Sequence, residues 1–289
     1  MLVKQYDIIP DAPKAINMGE YIIKSDLKYK ALLETEANKE HSFQHFLEEN
    51  PAYVPGAFEV FGLSGHYPYM NCLITQPRIN DKQLRIPDFM WLANDSLSFC
   101  PVLIEIEKPS KEQFRKDEIN RFEFTQAYNQ IIEWKAILST ISGQESFYER
   151  FSIDEENRKK EFKPQYILVY GRRSEYEKDE WLRRKRALFQ NDDICIMSFD
   201  RLHASRDVYD LVTCTVSNGQ YYVRYIPPTF VYRPVTSHVL QKWIGFTSAL
   251  SRIPDISEER RVFLQNRFEY WMCFGAKKNH GIMNSGDYE

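Results

Sequence analysis

Residues 84–109 constrain this chain more than any other stretch: two strand-like runs follow one another and place three carboxylates among apolar residues. In the first run Leu84, Ile86, Asp88 and Met90 fall on one side, and Arg85, Pro87, Phe89 and Trp91 on the other. This is the period of an extended strand. Asn94-Asp95-Ser96 supplies turn chemistry. Residues 98–107 then run back, with Leu103, Glu105 and Glu107 on one face and Val102, Ile104 and Ile106 on the other. If the runs pair as a hairpin, Asp88 comes within a residue or two of lying opposite Glu105. Burying unpaired carboxylates is costly, and a bound cation offsets that cost. The simplest reason to collect such acids is a divalent metal that acts on phosphate.

Phosphodiester hydrolysis needs a water aimed in line, neutralised charge on the phosphate and a stabilised leaving oxygen. Mg²⁺ or Mn²⁺ held by hard oxygen ligands supplies much of this. Asp88 and Glu105 are suitable ligands, and the carbonyl of Ile106 is a candidate third. Glu107 projects from the same face, where it would orient the attacking water or hold a second ion. The plainer reading of a Glu-x-Glu strand is a solvated face. Pro87-Asp88 upstream and the apolar opposite face weigh against it.

The 289 residues allow one large domain or a domain with an appendage, and 43% hydrophobic content supports a real core. A net charge of −3 means that any nucleic-acid contact must come from local basic patches. Five cysteines, an odd number without metal-ligand spacing, read as buried free thiols of a reducing, cytoplasmic protein. No run approaches the ~18 apolar residues of a membrane span, so no membrane partner is expected.

Pro10, Pro13 and Gly19 argue against a long helix in residues 1–30, and 1–35 read as an N-terminal arm or small subdomain. Residues 31–49 read as one helix closed by Pro51, and 58–63 and 69–79 as short strands. Residues 111–141 read as one or two helices, 166–170 as a buried strand, 175–190 as a helix and 194–199 as another strand. Residues 207–233 suggest a β-hairpin about Ser217-Asn218-Gly219, and 237–250 and 257–275 two amphipathic helices. The alternation in 98–200 predicts an α/β fold: a central mixed β-sheet flanked by helices, with a C-terminal β-hairpin plus helical extension.

Together these residues resemble the PD-(D/E)xK nuclease superfamily, and within it the Shedu anti-phage immune nucleases. Pro87-Asp88 is similar to the first metal motif, and Leu103 through Pro109 to the acidic strand. Phe46-Leu47-Glu48-Glu49-Asn50-Pro51 resembles the end of the family's preceding helix, and Gln126-Ala127 with Gln130 and Trp134 the following one. Leu168 through Arg172 and Ser198 through Leu202 resemble later strands. The resemblance covers about residues 36–206, leaving 207–289 as an accessory or oligomerisation region. It implies a restriction-endonuclease-like sandwich and a Mg²⁺ (or Mn²⁺) dependent DNase. It also implies DNA as substrate, a homo-oligomer and a phage-derived trigger. Asp88, Glu105, Glu107 and Gln130 would be catalytic, with a helix acid completing the metal shell, Glu40 first and Glu48 second. Lys108, Gln126, Arg172 and Arg173 would contact substrate. One departure matters: the family's strand lysine is replaced by Glu107, with Lys108 one place later and, by strand parity, on the opposite face. An inactive nuclease-like binding module, or an RNase or repair nuclease on the same scaffold, are the rival readings.

Other features read more plainly. His41 and His45 have zinc-pair spacing but no third ligand or zincin glutamate. Arg183-Arg184-Lys185-Arg186 is either a phosphate-binding patch or a solvated helix face. Tyr221, Tyr222 and Tyr225, and Phe268, Trp271, Met272 and Phe274, read as core or subunit contacts rather than base-stacking platforms. No Gly-rich phosphate loop supports nucleotide hydrolysis.

Overall fold

A computed structural model of the chain describes residues 3–58, 66–79 and 85–289. Among these residues a nine-stranded mixed sheet forms the centre. Its strands are β1 (Cys72–Thr75), β2 (Phe89–Asn94), β3 (Ser98–Ile106), β4 (Glu161–Phe162), β5 (Gln165–Val169), β6 (Ile194–Met197), β7 (Val212–Ser217), β8 (Gln220–Tyr225) and β9 (Trp243–Ile244). Their order is β6-β5-β3-β2-β1-β7-β8-β9, and β4 pairs with the start of β3.

β2 and β3 are the expected antiparallel hairpin, in the register Phe89 to Ile104 and Trp91 to Val102. Asp95 makes the turn: its Oδ1 accepts the Leu97 and Ser98 N–H groups at 2.7 and 2.6 Å. β3, β5 and β6 run parallel, so their C-terminal ends share one edge of the sheet. The hairpin β7–β8 turns at Asn218-Gly219, where both residues have positive φ. β7 pairs parallel with β1, so the C-terminal hairpin lengthens the same sheet.

Helices cover both faces. On one face Met90, Leu92, Leu103 and Leu168 pack against Phe124, Ala127, Ile131 and Trp134 of α3 (Phe122–Leu138) and Phe147 of α4 (Ile141–Arg150). On the other, Phe89, Trp91, Val102, Ile104 and Ile167 pack against Tyr29 of α1 (Met18–Thr35) and Phe43, Phe46 and Leu47 of α2 (Glu40–Glu49). The alternation read from the sequence in β2 and β3 is thus the division of two cores. Each side chain of Phe or Leu size withdrawn from water contributes about 1.5–3 kcal/mol to holding these layers together. The remaining helices are α5 (Glu155–Arg158), α6 (Glu180–Ala187), α7 (Phe246–Leu250) and α8 (Glu258–Gly275).

Several expectations are corrected. Residues 18–35 form a long helix, because Pro10 and Pro13 lie ahead of it and Asn17 caps it by accepting the Glu20 N–H at 3.0 Å. The helix expected over 31–49 is two helices with a break at 36–39. Residues 111–121 are not helical, and 237–250 divides into a 3₁₀ stretch, β9 and α7. The strand expected at 58–63 lies almost wholly outside the described residues, as does Leu84. Four cysteines are buried and Cys273 is exposed, all as free thiols. Among the described residues no helix is long and apolar enough to cross a membrane.

Candidate active site

The acids gather where β3 ends. Phe89 pairs with Ile104, so continuing the register sets Asp88 opposite Glu105. Asp88 Oδ2 accepts the Ile106 N–H at 2.8 Å, which ties the loop before β2 to the end of β3. Glu105 is 7% exposed and points to the α3 face, like Leu103 two residues earlier. There Gln130 Nε2 donates to Glu105 Oε1 at 2.7 Å, and Arg85 Nη1 donates to Gln130 Oε1 at 2.7 Å. Trp134 Nε1 donates to the Arg85 carbonyl at 3.1 Å, so one turn of α3 holds Arg85 by both its side chain and its backbone. Among the described residues, Glu105 Oε2 is buried with no hydrogen-bond partner.

The electrostatics follow from burial and like charge. Burial, opposed by the Ile106 N–H and joined by repulsion from Glu40, Glu107 and Glu48, pushes the Asp88 carboxyl up to about 7. Glu105 is raised well above the ordinary range, by burial first and then by Asp88 and Glu107, while the Gln130 bond works the other way. Glu40, in the first turn of α2, is raised by burial and by Glu107, with Lys111 and Lys108 opposing. A divalent cation between such groups reverses this balance, since it favours the charged form of each.

The other anticipated residues divide into two sets. Glu107 follows the last residue of β3, and its Oε2 accepts from Lys111 Nζ in a close ion pair. Lys108 acts electrostatically on Glu40. Glu48 lies near Asp88, but its Oε1 accepts from Gln44 and Thr75 at 3.1 and 2.6 Å. Gln126 is exposed one turn before Gln130. Arg172 and Arg173 follow β5 at the same end of the sheet but turn to Asp200: Arg172 Nε donates to Oδ1 at 2.8 Å and the Arg173 backbone N–H to Oδ2 at 2.6 Å. Of the basic run on α6, Arg186 is buried and donates to the carbonyls of Tyr170 and Met197 at 3.0 and 3.1 Å, so it caps strands rather than meeting phosphate. Arg184 pairs with Glu180 at 2.6 Å. Tyr221, Trp271 and Phe274 are core.

Sequence reasoning missed Arg85 and Lys111. Strand parity assigned Arg85 to the face away from Glu105, but residues 85–88 are not yet strand, and its guanidinium reaches Gln130. Lys111 stands four residues after Glu107, across Pro109, a spacing that points to it only once a turn is assumed.

Among the described residues no three His, Cys, Asp or Glu side chains stand together as a complete ligand set. Asp88 and Glu105 are a pair, and a bound ion would need backbone carbonyl, water and phosphate oxygens besides. That is the ordinary habit of Mg²⁺, which takes one or two carboxylates and completes its octahedron with waters and substrate phosphates. The partnerless buried Oε2 of Glu105 fits such an ion.

No curated protein and no solved structure matches the chain significantly. Residues 37–203, more than half of the chain and spanning every acid of the site, match the family model described as Shedu protein SduA, C-terminal, and the protein therefore belongs to the Shedu family.

Proposed function

We propose that this protein is a divalent-metal-dependent DNase of anti-phage defence, built as a restriction-endonuclease-like sandwich. The observation that carries the reading is the Asp88–Glu105 pair at the sheet end, with one buried Glu105 oxygen left unpartnered among the described residues. Family membership supports the defence role. Asp88 and Glu105, with the Ile106 carbonyl, would hold Mg²⁺ or Mn²⁺. When bound, the ion would neutralise phosphate charge and lower the pKa of an attacking water.

The chain's own groups do the rest. Gln130 fixes the Glu105 carboxylate, and Arg85 fixes Gln130. Glu40 would aim a water and take its proton. Lys108 and Gln126 would contact the DNA backbone, joined by Arg172 and Arg173 if they release Asp200. Residues 207–289 are assigned to assembly into a homo-oligomer and to response to a phage-derived trigger.

Glu107 at the lysine position favours one other reading, a nuclease-like module that binds DNA without cutting it. Incubation of linear, nicked and supercoiled DNA, and of RNA, with Mg²⁺ or Mn²⁺ separates the two. The nuclease reading expects metal-dependent cutting of DNA that Asp88→Ala abolishes. Binding without cutting on every DNA form supports the module, and cutting confined to RNA reassigns the substrate.

A further inference from the structure

We propose that Lys111 supplies the phosphate-facing cation of this site, from the loop after β3 rather than from the strand. The inference rests on the nuclease reading. The strand position that carries lysine in the resembled motif is Glu107 here, and the Lys111 ammonium lies on Glu107 Oε2. The two are one functional unit: the acid at the strand position holds a lysine delivered from four residues further on.

Three features make this more than a surface pair. First, the Glu107 side chain is 12% exposed and that of Lys111 26%, so the pair is largely enclosed while part of the Lys111 side chain stays in solvent. An ammonium has three N–H donors, and one directed at Glu107 leaves others for a phosphate oxygen. Second, the backbone is pinned on both sides. Ser110 N–H donates to the Ala37 carbonyl at 2.9 Å, just ahead of Glu40, and Lys111 N–H to the Lys108 carbonyl at 3.0 Å. The Lys111 carbonyl packs on Gly171, which has φ +64 and where a Cβ would stand 2.5 Å from that oxygen. Gly171 thus admits the loop that carries Lys111, and Glu107 N–H bonds the Val169 carbonyl two residues before it at 2.9 Å. Third, the surroundings are acidic: Asp88, Glu105 and Glu40 are all close enough to Glu107 to feel its charge. A polyanionic phosphate entering there needs a positive group, and of the two loop lysines Lys111 acts more strongly on Glu40 than Lys108 does.

Wild type, Lys111→Met, Lys111→Arg and the double variant Glu107→Lys/Lys111→Met are compared in Mn²⁺-dependent DNA cleavage. Melting temperatures are recorded, as is DNA affinity against salt in EDTA. The inference expects Lys111→Met to stay folded, melting somewhat below wild type because Glu107 loses its partner, and to lose roughly 100-fold or more in kcat, the scale of removing one aligned transition-state donor. It expects the salt slope of DNA binding to fall by about one. Lys111→Arg keeps part of the activity, and the double variant regains it, because the cation returns on the strand. Near-wild-type cutting by Lys111→Met, or a loss that the double variant does not restore, overturns the inference alone. Absence of cutting by wild type overturns the nuclease reading and the inference with it.

Discussion

Asp88 and Glu105 are held in a state that favours protons over charge, and this has a measurable consequence. The Asp88 carboxyl moves from an ordinary 3.8 to about 7 on folding. Between those pH values the folded protein keeps a proton that the unfolded chain has released. The stability tied to this group is therefore complete below about pH 4 and is lost as pH rises to about 7. Glu105, raised by the same causes, adds in the same direction. Thermal melts of metal-free protein should show Asp88→Asn more stable than wild type at pH 8 and no different at pH 4. The gain should be about 2 °C or more per kcal/mol of relieved burial and repulsion of that charge. Mn²⁺ should raise the wild-type melting temperature at pH 8 and leave that of Asp88→Asn nearly unmoved. The Gln130 amide is a second residue with a definite task, since it bonds both Glu105 and Arg85. Gln130→Leu should cost about 1–3 kcal/mol in denaturant melts by leaving Glu105 and Arg85 unpaired. It should cut the rate of DNA cleavage by roughly 10–100-fold, as the loss of a ligand-orienting partner does.

At the scale of elements, the site is made by two turns and one helix face. Asp95 fixes the hairpin that sets Asp88 against Glu105, and α3 presents Gln130 and Trp134 on the side opposite α2. The hairpin, its register and its two faces were legible in the alternation of residues 84–107, because a strand buried on one side by α2 and on the other by α3 must divide its side chains by parity. The position of Arg85 was not legible, since parity holds only inside the strand, and Arg85 lies in the approach to it. Lys111 was hidden for a related reason: its place depends on contact between the 108–111 turn and Gly171, 60 residues later. That contact is testable. Gly171→Ala adds a Cβ 2.5 Å from the Lys111 carbonyl at a positive φ and should destabilise by about 1–3 kcal/mol in denaturant melts. By shifting Lys111 it should also reduce cleavage more than a stability-matched core variant does.

At the scale of the whole molecule, one sheet of the described residues runs from β6 to β9, and the C-terminal hairpin joins it through β1. The sequence showed that hairpin through Asn218-Gly219, but a parallel pairing between residues some 140 apart leaves no local pattern. The long first helix was obscured for another reason: its buried stripe of Tyr21, Ser25 and Tyr29 is narrow and partly polar. One buried ion pair ties the ends of the chain to the C-terminal layer. Arg260, 1% exposed, donates to the carbonyls of Pro13 and Phe230 at 2.7 Å each and to the Glu289 carboxylate. Arg260→Met should cost about 3–5 kcal/mol in denaturant melts by leaving that carboxylate buried without its partner. The most direct measurement of the central claim is calorimetric titration of metal-free protein with Mn²⁺. Wild type should bind at a site whose affinity falls at least about tenfold in Asp88→Asn and in Glu105→Gln and is unchanged in Glu161→Gln at the other end of β3. Equal Mn²⁺ binding by all four proteins would contradict the assignment of a metal site to the Asp88–Glu105 pair.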